Sequence, residues 1–201
     1  METRRIASLE VTLTGLGCNN FGWRIDAASS ARVVDAALDA GINFFDTADI
    51  YDQGHSEEFL GRALKGRRDR AVVATKFGMK MEGIGQGAKP AYVRQAAEAS
   101  LRRLGMDRID LYQLHKPDPN TPIADTLGAL NDLVREGKVR EIGCSNFSVE
   151  QLREAELAAG AGARFVSVLK ISRRSRSSRS SRRRAATGFW NLHFHGWRRI
   201  K

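Results

Sequence analysis

Asp46, Tyr51, Lys76 and His115 each stand at or just past the end of a short apolar run. The runs are Ile42-Asn43-Phe44-Phe45 before Asp46, Val72-Val73-Ala74-Thr75 before Lys76, and Ile109-Asp110-Leu111-Tyr112-Gln113-Leu114 before His115. Together these residue types solve one chemical problem, protonating a carbonyl oxygen while hydride arrives at its carbon. A phenol with a reference pKa of about 10 is a poor acid at neutral pH unless a cation stabilises its phenolate. Lys76 is the candidate cation, and a carboxylate such as Asp46 would keep a buried lysine charged and aimed. His115 would orient the substrate oxygen. The structural alternative has Asp46 and Lys76 as a buried pair, with Tyr51 and His115 only packing. Polar residues at strand ends are costly without a purpose, which favours the chemical reading.

Such residues meet only if the runs are parallel strands of one sheet, since their ends then share a face. The pattern from Ile42 onward predicts strands at 42–46, 71–76, 109–114, 139–144 and 164–169, with helices at about 56–65, 90–104, 122–136 and 149–159 between them. An earlier helix, about 29–40, ends at Gly41 and carries Val33, Val34, Ala37 and Leu38 on one face. Ser56 before Glu57 and Glu58 reads as a cap with two carboxylates at the positive end of the dipole. Pro90 and Pro122 suit first helical positions, Gly105 and Gly137 suit left-handed ends, and Ser148 with Gln151 has capping-box spacing. The first twenty residues alternate and turn, which predicts a hairpin over Ile6 to Leu13 and no βα unit there. Alternating strands and helices give a parallel α/β class, but periodicity does not separate a barrel from an open sheet.

These residues resemble the aldo-keto reductase family from about Leu13 to about Val168. The resemblance runs through Gly15-Leu16-Gly17 with Phe21-Gly22, Gly41-Ile42-Asn43-Phe44-Phe45-Asp46-Thr47-Ala48 with Tyr51, and Ala74-Thr75-Lys76-Phe77-Gly78. It continues through Leu111-Tyr112-Gln113-Leu114-His115 and the stretch from Gly137 to Phe147. It implies a (β/α)8 barrel of TIM type, floored by the N-terminal hairpin, that uses NADPH or NADH to reduce a small aldehyde or ketone. Tyr51 would be the acid, supported by Lys76, Asp46 and His115. Ser145 and Asn146 would bind the nicotinamide carboxamide, with Asp46 also on the cofactor side. Where the family carries a further carboxamide-binding glutamine, this chain has Leu169. A complete barrel takes about 250 residues, so the resemblance predicts a barrel domain over 1–171 that stops after its fifth strand, with two open sheet edges and activity in question.

The formal charge of +10 taken alone suggests an anionic partner. Its distribution says otherwise. Of the 33 Lys and Arg, ten lie in 172–201, which holds no Asp or Glu, and the other 23 balance all 23 acidic residues. The segment 172–201 is rich in Arg and Ser with no apolar period, which predicts disorder. Two readings stand for it: an arm whose arginines meet phosphate while Trp190, Phe194 or Trp197 stack on bases, or a truncated or out-of-frame text. The second is preferred, so nucleic acid is not an expected partner. His193 and His195 lack the neighbours of a metal site, and no metal is expected.

Cys18 and Cys144 are too few for a disulfide framework, and Cys144 is expected to pack rather than react. No leader pattern opens the chain and no apolar run nears the roughly 20 residues of a membrane span, so a cytoplasmic protein is expected. Gly15-Leu16-Gly17 with Gly22 lacks the spacing of a dinucleotide fingerprint. The glycine-rich stretch from Met79 to Lys89 reads as a loop that shapes a substrate mouth, or as a solvated connector. Oligomeric state is not legible.

Overall fold

Thr3–Ile6 (β1) and Leu9–Thr12 (β2) pair antiparallel as the predicted hairpin. The computed structural model describes residues 1–169 and the backbone of 189–191. After the hairpin come Thr14–Gly17 (β3), Ala27–Asp39 (α1), Phe44–Asp46 (β4), His55–Ala63 (α2), Val72–Phe77 (β5) and Pro90–Leu104 (α3). Ile109–Leu114 (β6), Ile123–Arg135 (α4), Val139–Ser145 (β7), Val149–Ala159 (α5) and Val168–Leu169 (β8) complete the alternation, and Phe189–Asn191 forms β9. The sheet order is β8-β7-β6-β5-β4-β3-β9, and β3 to β8 are parallel. Helices on one side and the hairpin on the other give a curled α/β sheet, an incomplete barrel.

One expectation fails at the start of the chain. The first twenty residues do hold the strand of a βα unit, because β3 pairs with β4 in parallel through α1, so six parallel strands are present rather than five. Thr-Gly-Leu-Gly offers little apolar pattern of its own, and its strand conformation comes from its neighbour in the sheet. The β3 edge is not open either, since β9 pairs antiparallel along it. That strand takes in three residues of 172–201; the expectations for the rest of that segment, disorder and the roles of His193 and His195 among them, lie outside the described residues.

Helix ends follow their chemistry with two corrections. Pro90 starts α3, Gly105 ends it in the left-handed region at φ 62°, and Ser148 with Gln151 forms the capping box of α5. Pro122 is the N-cap of α4, one residue earlier than expected. Ser56 is no cap. Gly54 at φ 100° holds that position, while the Ser56 hydroxyl donates to Cys18 O at 2.8 Å and lies 2.8 Å from Thr47 Oγ1.

Strand alternation sorts the two sides of the sheet. Phe45, Val73 and Phe77 enter the large core with Val34 and Leu38 of α1, Leu60 of α2, Val93 of α3 and Leu130 of α4. Phe44, Ala74 and Leu111 face the other way and bury Ile6, Leu9 and Val11 of the hairpin. Asn43 ties the hairpin down, accepting from Thr12 N at 2.8 Å and donating to Glu10 O at 3.0 Å. The floor therefore closes the N-terminal ends of the strands and leaves their C-terminal ends for chemistry.

Candidate active site

Asp46 ends β4, and Lys76 is the residue before last in β5. Each lies two residues beyond a hairpin-facing residue, Phe44 and Ala74, so both side chains project to the inner side of the sheet near its upper rim. Lys76 is fully buried, and its Nζ donates to Asp46 Oδ2 at 2.7 Å and to Thr47 O at 2.7 Å. Burial alone would strip its proton, but Asp46 and then Tyr51 reverse that, and its pKa lies above the ordinary lysine value. The ammonium charge is secure at neutral pH.

Tyr51 reaches this cation from a tight turn, Tyr51–Gly54, whose Asp52, Gln53 and Gly54 all take positive φ. A side chain at Gly22, itself at φ 85°, would collide with Asp52 Oδ2, so glycine there lets the β3–α1 loop lie against the turn. Lys76 Nζ sits 5.2 Å from the centre of the Tyr51 ring, and the His115 ring meets Tyr51 edge-on with centroids 6.0 Å apart. Burial raises the Tyr51 pKa and outweighs the opposing charge of Lys76, so the phenol is fully protonated at rest. The sequence reading had Lys76 easing this proton off. In the free protein burial is the larger effect.

His115 follows directly after β6, and its main-chain N–H donates to Phe77 O at 2.9 Å, which anchors the residue at the end of β5. Burial, then the charges of Lys76 and Lys116, push its pKa down to about 4. It is a neutral imidazole at physiological pH, with Nδ1 buried and without a hydrogen-bond partner among the described residues.

Ser145 and Asn146 lie at the end of β7, next to the same rim. Asn146 takes φ 62° and donates through Nδ2 to His115 O at 3.0 Å and to Ser145 Oγ at 3.1 Å. Ser145 Oγ in turn donates to Leu169 O at 3.0 Å. Both protons of the Asn146 amide are thus committed to protein acceptors, which leaves its Oδ1 able to accept from a bound amide. At Leu169 the main chain, rather than a side-chain amide, engages the pair. All six residues singled out in the sequence therefore converge on one rim.

A second polar group behind the rim escaped the sequence reading. Glu57 of α2 is fully buried, accepts from Thr75 Oγ1 at 2.6 Å and pairs with Arg103 Nε of α3 at 2.6 Å. Its signal was present: Glu57 shares helical spacing with Leu60 and Leu64 and so falls on the core face, where a carboxylate needs a partner. Cys144 is buried and its thiol is pushed up to about 12, so it packs, as expected. From Met79 the loop folds back on itself, with Met81 buried and Gly87 N bonded to Gly78 O at 3.0 Å. Among the described residues no group of three His, Cys, Asp or Glu could hold a metal, and no helix is long and apolar enough to cross a membrane.

Comparison with known proteins follows this geometry. Residues 14–170 match the model of the aldo/keto reductase family. The chain is 41% identical over 162 residues to the aldo-keto reductase YhdN of Bacillus subtilis (strain 168), covering 76% of this chain and 49% of that protein. Its fold resembles aldo-keto reductase AKR11C1 from Bacillus halodurans in its holo form, with TM-score 0.76, 36% identity, and coverage of 86% of this chain and 58% of that one. It also resembles an aldo-keto reductase from Klebsiella pneumoniae in complex with NADPH, with TM-score 0.66, 34% identity, and coverage of 74% and 50%. The chain spans about half the length of the curated relative it matches. With β3 to β8 and the polar rim all inside the matched stretch, this chain belongs to the aldo/keto reductase family.

Proposed function

We propose that this rim reduces an aldehyde or ketone to an alcohol with NADPH or NADH, Tyr51 giving its proton to the carbonyl oxygen. The observation that carries the reading is the fully buried Lys76 ammonium beside the Tyr51 ring. Asp46 and Thr47 occupy two of its three N–H donors, which leaves the third for the tyrosine. When Tyr51 loses its proton, the phenolate forms next to a fixed positive charge in a site with little water, where such a charge acts most strongly. His115, neutral at working pH, offers a donor to the substrate oxygen without competing as an acid.

The nicotinamide cofactor, when bound, supplies the hydride. The polar set fits it: Asn146 Oδ1 and the remaining lone pair of Ser145 Oγ, whose own proton goes to Leu169 O, can both accept from the carboxamide NH2. Two relatives support the cofactor class, one solved in a holo form and one with NADPH. Tyr51→Phe removes the proton and little else. Reduction of a generic aldehyde should fall by at least about a hundredfold, while NADPH binding, read by quenching of its fluorescence, stays nearly unchanged. Equal loss of both would defeat the assignment.

A further inference from the structure

Asp49 lies two residues before Tyr51 and is 1% exposed, yet neither of its carboxyl oxygens finds a hydrogen-bond partner among the described residues. Only its main chain is anchored, with Asp49 N donating to Lys76 O at 3.0 Å. The groups that face it are Glu57 of α2, Arg103 and Tyr92 of α3, Lys76 of β5 and the Ile50 N–H of its own loop. Tyr112 of β6 also feels the Asp49 charge, and its hydroxyl is likewise buried without a hydrogen-bond partner among the described residues. The two cations are already engaged: Arg103 with Glu57 and Ser100, Lys76 with Asp46 and Thr47. A carboxylate in this place would be a buried charge with no mate, beside a second carboxylate.

A neutral carboxyl carries no such penalty. Gly54, the last residue of the Tyr51 turn, packs so tightly on Arg103 that a Cβ there would lie 2.5 Å from Arg103 Cδ. The turn that presents Tyr51 thus sits on the very group that Asp49 faces. We propose that Asp49 is a positioning residue for Tyr51 that works as a neutral acid: its protonated carboxyl lets residues 47–54 seat on α2 and α3 with Tyr51 turned to Lys76, and its ionisation unseats them. Burial, then the Glu57 charge, push its pKa up to about 7, which puts the change within reach of ordinary pH. The kinetic consequence rests on Tyr51 being the proton donor; the seating does not.

Two readouts on Asp49→Asn separate these claims. The folded pKa of Asp49 is raised above its unfolded value, so the contribution of Asp49 to wild-type stability is lost as pH climbs from about 4 to about 7, and the variant has no such contribution to lose. The melting temperature of the variant relative to wild type should therefore rise by roughly 5 °C between pH 5 and pH 8. In the kinetic arm, with NADPH and a generic aldehyde, kcat of the wild type should fall roughly tenfold between pH 6 and pH 8, and that of the variant less than about threefold. Asp49→Ser replaces the Asn variant if the latter does not fold. Parallel melting profiles overturn the proposal, as does an unchanged alkaline limb in an active variant. If neither protein reduces the aldehyde, the reading of the reaction fails while the melting profiles still decide the seat.

Discussion

Removing Asp46 tests whether Lys76 is a held charge or merely a buried amine. In Asp46→Ala the ammonium keeps one acceptor, Thr47 O, in a site that excludes water from Lys76. Breaking a buried pair by deleting one partner costs about 3–5 kcal/mol, because the remaining charge is uncompensated. Asp46 is 18% exposed, so some solvent relief draws the expected loss toward about 3–4 kcal/mol at pH 7. The lysine has one escape, which is to lose its proton. From a reference pKa of about 10.4 that costs roughly 5 kcal/mol at pH 7 but only about 2 kcal/mol at pH 9. In the wild type the Lys76 pKa is raised, so its contribution is intact below the ordinary lysine value and lost only above it. In the variant the folded pKa is depressed, so stability recovers as pH rises toward that of free lysine. Urea unfolding at pH 7 and pH 9 should therefore show a loss that shrinks from about 3–4 to about 2 kcal/mol. A loss below about 1 kcal/mol, or one equal at both pH values, would refute the held-charge account.

Gly61 in α2 gives a test in which local preference and packing disagree in sign. Alanine normally favours a helix interior by about 1 kcal/mol, but a Cβ at Gly61 would lie 2.6 Å from Leu104 C in the α3 backbone. Gly61→Ala should lower the unfolding free energy by about 2 kcal/mol or more, and a stabilised variant would show that α2 and α3 can separate freely. His115 has a folded pKa of about 4 against an ordinary 6.5, so its own contribution to wild-type stability should grow between those pH values by roughly 3 kcal/mol and then level off, opposite in sign to that of Asp49. The stability of the wild type relative to His115→Asn should therefore rise by about that amount from pH 4 to pH 6.5 in acid unfolding curves, and a constant difference would refute the assignment.

The helices and the polar rim were legible because their signals are local. Pro90, Gly105 and the Ser148–Gln151 pair mark helix ends by backbone chemistry that neighbours seldom override. The rim residues were found because each follows an apolar run, and runs of buried parallel strands point their ends the same way. β3 was missed because Gly15 and Gly17 carry no pattern, and the strand exists through its pairing with Phe44–Asp46. Ser56 was misread for a similar reason: its hydroxyl has a tertiary partner, Cys18 O, that no local spacing reveals. The Glu57–Arg103 pair joins residues 46 positions apart. The spacing of Glu57 with Leu60 and Leu64 marks a core-facing position that the dipole reading passed over, and only the folded chain names its partner.

The strand order from β3 to β8 follows the chain without a skip. Each strand thus pairs with one met roughly thirty residues earlier, and every loop closure costs nearly the same entropy. Strands β3 to β8 can be assembled as a growing edge, one unit at a time, and only the pairing of β9 with β3 waits for the far end of the chain. The Lys76–Asp46 bond joins adjacent strands, so it becomes available when β5 docks on β4, before β6 brings His115. During synthesis the charge pair would be in place while the residues that surround it are still emerging, and Lys76 would have its counter-ion in hand before it is enclosed.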